Sequence, residues 1–261
     1  MRKSGAVAVF IVLAATAAVP LAASGNKAAT GTLDLQARLS RKSVPVAPCP
    51  SGSPPSAECY TTTGEGDVRG LGRGVKQSFV AIRDPSQCPS GSKLLSYPAR
   101  FVVAGKGEIN LAVAEHPDCL NQEALRTASQ SFTITGGTGI YAGASGSGRV
   151  ERSLVQTPVG PAGTETYVGT LAVPGLEFDL TKPTITGARA KTVRAPKAAN
   201  RVRVTFRVTA LDNVDGSVRV ACRPGSGSRF KVGRTTVKCS VTDTSANTAT
   251  AAFRVTVRRW R

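Results

Sequence analysis

Valine and arginine alternate along several segments in the last third of the chain. In residues 201–212 (RVRVTFRVTALD), an apolar side chain occupies nearly every second position, and arginine fills three of the positions between. Similar alternation recurs in residues 217–223, 235–243 and 251–260. Because successive side chains of a β-strand point to opposite faces, this period predicts strands with a valine core and an arginine exterior. It also argues against amphipathic helices.

The middle of the chain carries the same kind of signal with less charge. Seven segments bounded by Gly, Pro, Ser or Asn are predicted to be strands, at residues 32–39, 74–84, 99–105, 107–115, 130–136, 147–155 and 165–173. Seven or eight strands with glycine at their ends predict a small closed β-barrel, because closure removes exposed strand edges. The sequence therefore predicts an all-β chain, with a small closed β-barrel followed by a β-sandwich.

A change in charge marks the boundary between the two predicted domains. Residues 26–181 hold 14 Lys/Arg against 13 Asp/Glu, whereas residues 182–261 hold 18 Lys/Arg against three Asp. The second segment thus carries +15 of the net charge of +18. We place the boundary near Asp179–Pro183, which predicts a barrel at residues 26–180 and a strongly basic sandwich at residues 181–261.

The first 25 residues have the composition of a secretory signal peptide. Arg2 and Lys3 precede the apolar run GAVAVFIVLAATAAV, and small residues follow, so cleavage is expected between Ala23 and Gly25. The run is short for a transmembrane helix, and a retained anchor is the less favoured alternative. No second apolar run follows, so no transmembrane segment is expected after cleavage. The mature protein is predicted to be secreted or held at the cell surface.

Metal and haem sites have few potential ligands in this sequence. His116 is the only histidine, and no C-x-x-C motif occurs among the six cysteines. Zinc and haem sites need such ligands. We therefore expect no metal and no cofactor.

An even number of cysteines in an exported chain predicts disulfides. Cys222 and Cys239 fall on inward positions of separate predicted strands, which predicts an internal bond between them. The other four cysteines allow three pairings. We favour Cys49–Cys59 with Cys88–Cys119, because each bond would tie a Pro/Ser-rich loop that has no strand pattern.

Residues 180–257 resemble the hyalin repeat (HYR) domain. The matching segments are DNVDG at 212–216, CRPGSGSRFKVGRTTVKC at 222–239 and TDTSANTATAAFRVTV at 242–257. The resemblance implies an immunoglobulin-like β-sandwich, an extracellular location and a part in adhesion. Where the family has D..GN near the last hairpin, this chain has DTSAN with Ala246 in place of glycine, which puts the shape of that turn in question.

Residues 132–150 (FTITGGTGIYAGASGSGRV) are similar to the glycine-rich hairpin of allene oxide cyclases and dirigent proteins. The resemblance, extended to residues 30–178, implies a closed β-barrel. It implies no catalytic residue, because the catalytic acids of those families lie on strands that cannot be matched here. GTGIYA also fits the dinucleotide pattern G-x-G-x-x-A, but poor helix formers follow it, so a structural loop is predicted.

Acidic residues form two further candidate sites. Asp212, Asp215 and Asp243, together with Asp179 from the linker, could supply oxygen ligands to calcium. Three scattered acids are a small ligand set, so we expect Asp212 and Asp215 to form Asx turns and Asp243 to brace a neighbouring loop instead. In the barrel, a paired acid and base could be among four residues and a neighbouring histidine. These are Glu108, Glu115, Asp118, Glu123 and His116, and surface positions are favoured for them because no nucleophile motif accompanies them.

The strongest functional signal is the basic exterior of the second domain. Its predicted polyanion-binding residues are Arg201, Arg203, Arg207, Arg219, Arg223, Arg229, Lys231, Arg234 and Lys238. A charge of +15 on about 80 residues exceeds what solubility requires. We predict attachment to an anionic cell-wall polymer or an acidic polysaccharide, with anionic lipid and released nucleic acid as other polyanions. Such binding is electrostatic and salt-dependent, and no sequence-specific nucleic-acid recognition is expected.

A non-enzymatic binding or adhesion protein is the favoured function, and two alternatives stay open. The barrel could enclose a small apolar molecule and isomerise or cyclise it, as the allene oxide cyclase likeness implies, with the sandwich as a localisation module. Both domains could instead be spacers in a surface assembly. An open barrel cavity with an inward acid or tyrosine would favour the enzyme, and a lumen filled by side chains would count against it.

Overall fold

A computed structural model describes residues 30–260 of the chain. The predicted signal peptide, residues 1–25, lies outside this range. No helix within the described range is long and apolar enough to cross a bilayer. The helical elements of this range are α1 (Gln122–Thr127) and two short 3₁₀ turns, Pro85–Gln87 and Gly139–Tyr141.

An antiparallel β-barrel of eight strands precedes the C-terminal sheets. Its strands are β1 (Thr30–Val46), β2 (Glu58–Val68), β3 (Gly72–Asp84), β5 (Tyr97–Val103), β6 (Gly107–Val113), β7 (Ser129–Gly137), β8 (Ser145–Thr157) and β9 (Gly160–Glu177), and the two-residue β4 (Lys93–Leu94) pairs with β3. Neighbours run β2–β1–β9–β8–β7–β6–β5–β3, and pairing of β2 with β3 closes the ring. The all-β class and the closed barrel predicted from the sequence are confirmed.

β2 is the barrel strand that the hydrophobic pattern did not reveal. Its inward positions include Thr62, Gly64 and Gly66. Val68 is the one large apolar side chain on this face of β2. A Cβ atom on Gly66 would lie 2.4 Å from the carbonyl oxygen of Arg38. Glycine therefore lets β1 approach closely here, and β2 alternates in burial without alternating in hydrophobicity.

Side chains cover both ends of the barrel. At one end of the barrel, α1 packs against β8 and buries its own Leu125 side chain. At the other end, Phe178 and Leu180 follow β9 and pack on the barrel core near Leu33. The segment that leads out of the barrel thus closes it.

The C-terminal region consists of three small sheets around a valine-rich core. The first sheet contains β10 (Thr184–Thr186), β13 (Thr209–Asp212) and β14 (Gly216–Val218). The second, in spatial order, contains β11 (Lys191–Ala195), β18 (Thr248–Arg259), β17 (Gly233–Thr242) and β15 (Ala221–Arg223). The third pairs β12 (Arg201–Arg203) with β16 (Arg229–Lys231). Val204, Phe230, Val237, Phe253 and Val255 are all buried in the core between these sheets. The predicted valine interior is confirmed.

The strand predicted over residues 201–212 is interrupted. β12 ends at Arg203 and β13 begins at Thr209, and the backbone between them forms no strand. In this interval, the N–H of Phe206 donates to Oγ of Ser226, and that hydroxyl donates to the carbonyl oxygen of Phe206. A side chain therefore replaces a neighbouring strand as hydrogen-bond partner. The alternation of inward and outward side chains persists because the backbone stays extended.

Three disulfides stabilise the chain, with the pairing favoured from the sequence: Cys49–Cys59, Cys88–Cys119 and Cys222–Cys239. Cys222 lies directly opposite Cys239 on β15 and β17, and Cys239 is buried in the sandwich core. Three disulfides fit an oxidising compartment outside the cytoplasm.

Ala246 adopts the conformation that a glycine would favour. Its φ is 64°, and it is the one non-glycine residue with positive φ within residues 30–260. The turn keeps its shape because the carboxylate of Asp243 accepts hydrogen bonds from the N–H groups of Ser245 and Asn247. The substitution in DTSAN therefore leaves the turn intact.

This turn contacts the barrel directly. The N–H of Gly70 donates to the carbonyl oxygen of Ser245 over 2.7 Å. Nζ of Lys106 lies 3.4 Å from the carbonyl oxygen of Thr244. Arg69 donates to Oδ1 of Asn247, whose amide group donates to the carbonyl oxygen of Asp179. The junction is thus a hydrogen-bonded contact.

Candidate functional site

All nine predicted polyanion-binding residues are exposed. Within residues 30–260, no carboxylate oxygen lies within 4.0 Å of any of them, although ion pairs of this kind occur at Arg73, Lys93 and Arg100 of the barrel. The cations of the sandwich are therefore available to an external anion. Acidic groups of the barrel do not neutralise them.

Two opposed strands bring four of these cations together on what we call the small-sheet face. On β12 and β16, Arg201 lies opposite Lys231 and Arg203 lies opposite Arg229, while Val202 and Phe230 between them point into the core. Directly opposed like charges destabilise an antiparallel pair. Their presence without acids between them marks a surface not optimised for stability.

A second cluster forms what we call the large-sheet face, on the outer side of β11, β18, β17 and β15. It contains Arg194, Arg223, Arg234, Lys238, Arg254 and Arg258. Arg223 lies opposite Lys238, and Arg194 lies beside Arg258 across a parallel pair. A shallow groove of about 600 Å³ lies on the β15 side of this face, where Arg223 and Lys238 line it together with small residues such as Ala221, Ser240 and Ala252.

The predicted cations therefore form two faces instead of one patch. Val202 and Phe230 of the small sheet and Val237 and Phe253 of the large sheet point toward each other in the core. The cations that alternate with them must point away on opposite sides of the sandwich. Arg207 and Arg219 lie outside the strands and belong to neither sheet.

Three cations of the large-sheet face, Arg194, Arg254 and Arg258, were not predicted. The signal was present, because Phe253, Val255 and Val257 alternate with two of them in the last strand. Arg194 could not be found this way, since its strand joins the sheet in parallel and carries a single buried residue, Ala195.

One exposed aromatic ring adjoins the large-sheet face. Trp260 is 54% exposed, and the guanidinium group of Arg194 lies 5.0 Å from its ring centroid. Phe230 is buried and cannot stack on a ligand. Recognition on this face would thus depend on charge, with one flat ring at its margin.

The lumen of the barrel is filled by side chains. The cavity at its centre has a volume of about 30 Å³ and is lined mainly by apolar residues, among them Leu39, Phe101, Leu111 and Leu171. Small-molecule sites are typically about 300–1,000 Å³. A cavity of this size holds about one water molecule. The filled lumen counts against an enclosed apolar substrate.

The barrel nevertheless contains a buried charge cluster that was not predicted from the sequence. Glu165 on β9 is fully buried and lies 3.2 Å from Arg41, 3.2 Å from Lys76 and 3.4 Å from Arg152. The hydroxyl group of Tyr167 also donates to Glu165. The two-residue period of β9 places Glu165 on the same inward face as Tyr167, so the sequence did contain a signal. Glu165 was missed because long polar side chains are usually assigned to the exterior.

The charge cluster fixes Glu165 in its ionised form. Burial alone would raise the pKa of its carboxyl group, but attraction from Lys76, Arg41 and Arg152 outweighs burial and lowers the pKa from 4.5 to about 2. A general acid or base acting near neutral pH needs a pKa close to that pH. Glu165 is therefore a structural counter-ion.

We expect barrel stability to fall between about pH 4.5 and pH 2 because of Glu165. Its stabilising contribution, about 3 kcal/mol, is complete above its unfolded pKa of 4.5 and is lost as pH falls through its folded pKa of about 2. Urea denaturation at steps across this window measures the free energy of unfolding. The Glu165→Gln variant, which lacks the titrating group, should give a flatter curve, and parallel curves would contradict the assignment.

The acids proposed for the barrel from sequence do not form a site. Glu108 pairs with Arg100 on the barrel exterior, and Glu115 pairs with Lys93. Asp118 donates its backbone N–H to the ring of His116, and Glu123 lies exposed in α1. The GTGIYA segment forms a 3₁₀ turn that leads straight into β8.

Of the Asx turns predicted at Asp212 and Asp215, the structure contains the one at Asp212, whereas Asp215 and Asp243 exchange their expected roles. Asp212 accepts hydrogen bonds from the N–H groups of Val214 and Asp215, and Asp243 caps its own turn. Asp215 bridges the two loops, because its carboxylate accepts from the backbone and the hydroxyl group of Thr244.

Comparison with known families identifies the C-terminal region. Residues 178–257 match the family model of the HYR domain, which supports an extracellular, adhesion-like module. No curated protein matches the chain in sequence.

Proposed function

We propose that this chain, whose residues 178–257 match the HYR domain, is a secreted, non-enzymatic binding or adhesion protein. Its basic sandwich attaches it to anionic extracellular polymers, of which an anionic cell-wall polymer or an acidic polysaccharide is the expected partner. The signal peptide at residues 1–25 directs its export. The barrel is a rigid companion domain.

The observation that carries this proposal is the arrangement of cations on the large-sheet face. Six exposed Lys/Arg side chains share one face of a single sheet, and no described carboxylate lies within 4.0 Å of them. Like charges held this close repel each other, and an anionic polymer relieves the repulsion while its counterions are released. The groove lined by Arg223 and Lys238 of this set can hold a segment of such a polymer.

We propose the large-sheet face as the main contact. It has more cations than the small-sheet face, and a groove and an exposed ring accompany them. The flat, extended geometry fits a polymer that presents repeated negative charges at short intervals. It offers no deep pocket for a single small ligand.

Affinity chromatography of the full mature chain tests this function. Applied at low salt to immobilised heparin, an acidic polysaccharide, the protein should be retained and should elute only at about 0.3 M NaCl or above. The same load should pass through a column of neutral dextran. Elution from heparin at the same low salt as from dextran would refute the proposal.

A further inference from the structure

Three carboxylates from separate parts of the chain converge at the junction between the barrel and the HYR domain. Asp179 follows β9, Asp212 ends β13, and Asp243 follows β17. One carboxylate oxygen of each lies within 4.8 Å of the other two. Asp212 and Asp243 are only 5% and 7% exposed.

Each of these carboxylates has its Oδ1 atom occupied by backbone N–H groups of its own turn. The Oδ2 atoms are differently placed. Oδ2 of Asp212 and Oδ2 of Asp179 are buried and accept no hydrogen bond within the described residues, and Oδ2 of Asp243 accepts one from Asn247. Unpartnered buried carboxylate oxygens are costly, so these atoms call for a positive partner.

Residues 30–260 do not provide that partner. Although the surrounding domain carries many cations, no Lys or Arg nitrogen of the described residues lies within 4.0 Å of these three carboxylates. Arg69 lies at the junction but donates to Oδ1 of Asn247 and the carbonyl oxygen of Leu180. Burial raises the pKa of Asp179, and repulsion from Asp212 and Asp243 raises it further.

We propose that Asp179, Asp212 and Asp243 bind a calcium ion that joins the HYR domain to the barrel. Calcium prefers oxygen ligands at about 2.3–2.6 Å, so two ligands of one ion lie at most about 5 Å apart. The observed oxygen separations meet this limit. Water and backbone carbonyl groups complete the six to eight ligands that the ion requires.

From the sequence, Asp212, Asp215 and Asp243 were judged too few and too scattered to bind calcium, although Asp179 from the linker was placed beside them. The fold changes this in two ways. It brings one carboxylate oxygen each of Asp179, Asp212 and Asp243 within 4.8 Å of the other two, and it leaves Oδ2 of Asp179 and Oδ2 of Asp212 buried without a hydrogen-bond partner among the described residues. The Asx turns are therefore scaffolding for the site, and they do not replace it.

Calorimetric titration of the full mature chain with CaCl₂, after treatment with EDTA, tests this site. We expect one calcium ion per chain, with a dissociation constant on the order of 10⁻⁴–10⁻³ M as in other extracellular modules. The melting temperature should rise by about 3–8 °C in 10 mM CaCl₂. NaCl of matched ionic strength should not reproduce this rise.

Two asparagine variants provide the controls. Asp212→Asn keeps the oxygen that caps its turn but loses the charge, so we expect calcium to bind at least about 10-fold more weakly. Asp34→Asn, at an exposed position of β1, should bind calcium as the wild type does. The proposal is overturned if the wild type shows no binding, if NaCl gives the same rise, or if Asp212→Asn binds calcium unchanged.

Discussion

Replacing Arg223, Arg234, Lys238 and Arg254 with glutamine in one chain should weaken binding to heparin at 0.1 M NaCl by about 10²–10³-fold. Each Lys/Arg close to an anionic surface contributes about 1 kcal/mol, so losing four removes most of the attraction of the large-sheet face. All four side chains are exposed and have no carboxylate partner in the described chain, so the fold should not suffer. Surface plasmon resonance on immobilised heparin measures the loss.

The small-sheet face supplies a control of equal charge. Replacing Arg201, Arg203, Arg229 and Lys231 with glutamine lowers the net charge by the same four units but leaves the groove intact. We expect this variant to lose less than about 10-fold in affinity. Equal losses from the two variants would show that binding follows net charge alone, and would contradict a defined site on the large sheet.

Replacing Glu165 with glutamine should destabilise the barrel by about 3–5 kcal/mol. The substitution preserves the size of the side chain but leaves Arg41, Lys76 and Arg152 buried around a neutral amide. Three buried cations then repel each other without a counter-ion. In a chain of this size, the loss corresponds to a fall of about 10 °C in melting temperature, which differential scanning calorimetry measures.

Two further variants separate charge from packing in this result. Glu108→Gln removes an acid whose pair with Arg100 lies on the barrel surface, so its melting temperature should change little. Adding Lys76→Met to Glu165→Gln removes one of the stranded cations and should restore part of the lost stability. An unchanged melting temperature in Glu165→Gln would show that the cluster does not stabilise the fold.

Alternation along the chain was sufficient to predict the architecture. The valine and arginine pattern of residues 201–260 identified the core and most of the exposed cations, because a strand with one buried face has no other register, but Arg254 and Arg258 were left out of the predicted set. It also placed Cys222 and Cys239 on facing inward positions, where the structure joins them. Such features depend on local sequence.

The features that escaped prediction depend on how distant segments meet. β2 was missed because glycines, which allow close approach to β1, occupy inward positions. Glu165 was missed because its three cations come from β1, β3 and β8, and only closure of the barrel brings them together. The grouping of Asp179 with Asp212 and Asp243, by contrast, was anticipated from the sequence, and the structure brings one carboxylate oxygen of each within 4.8 Å of the others.

The filled barrel also changes the balance between the two functions considered from the sequence. The central cavity of about 30 Å³ has no room for a substrate. The acid that faces the lumen is held ionised by three cations. An inward acid and an inward tyrosine are thus present at Glu165 and Tyr167, but no open cavity of substrate size accompanies them in the centre of the described barrel.

The salt dependence of heparin binding tests the central proposal most directly. The association constant of the full mature chain, measured between 0.05 and about 0.4 M NaCl, should fall linearly on a double logarithmic plot with a slope of about −4 or steeper, because several cations displace counterions together. A slope near zero, or equal binding to neutral dextran, would contradict electrostatic attachment through the sandwich.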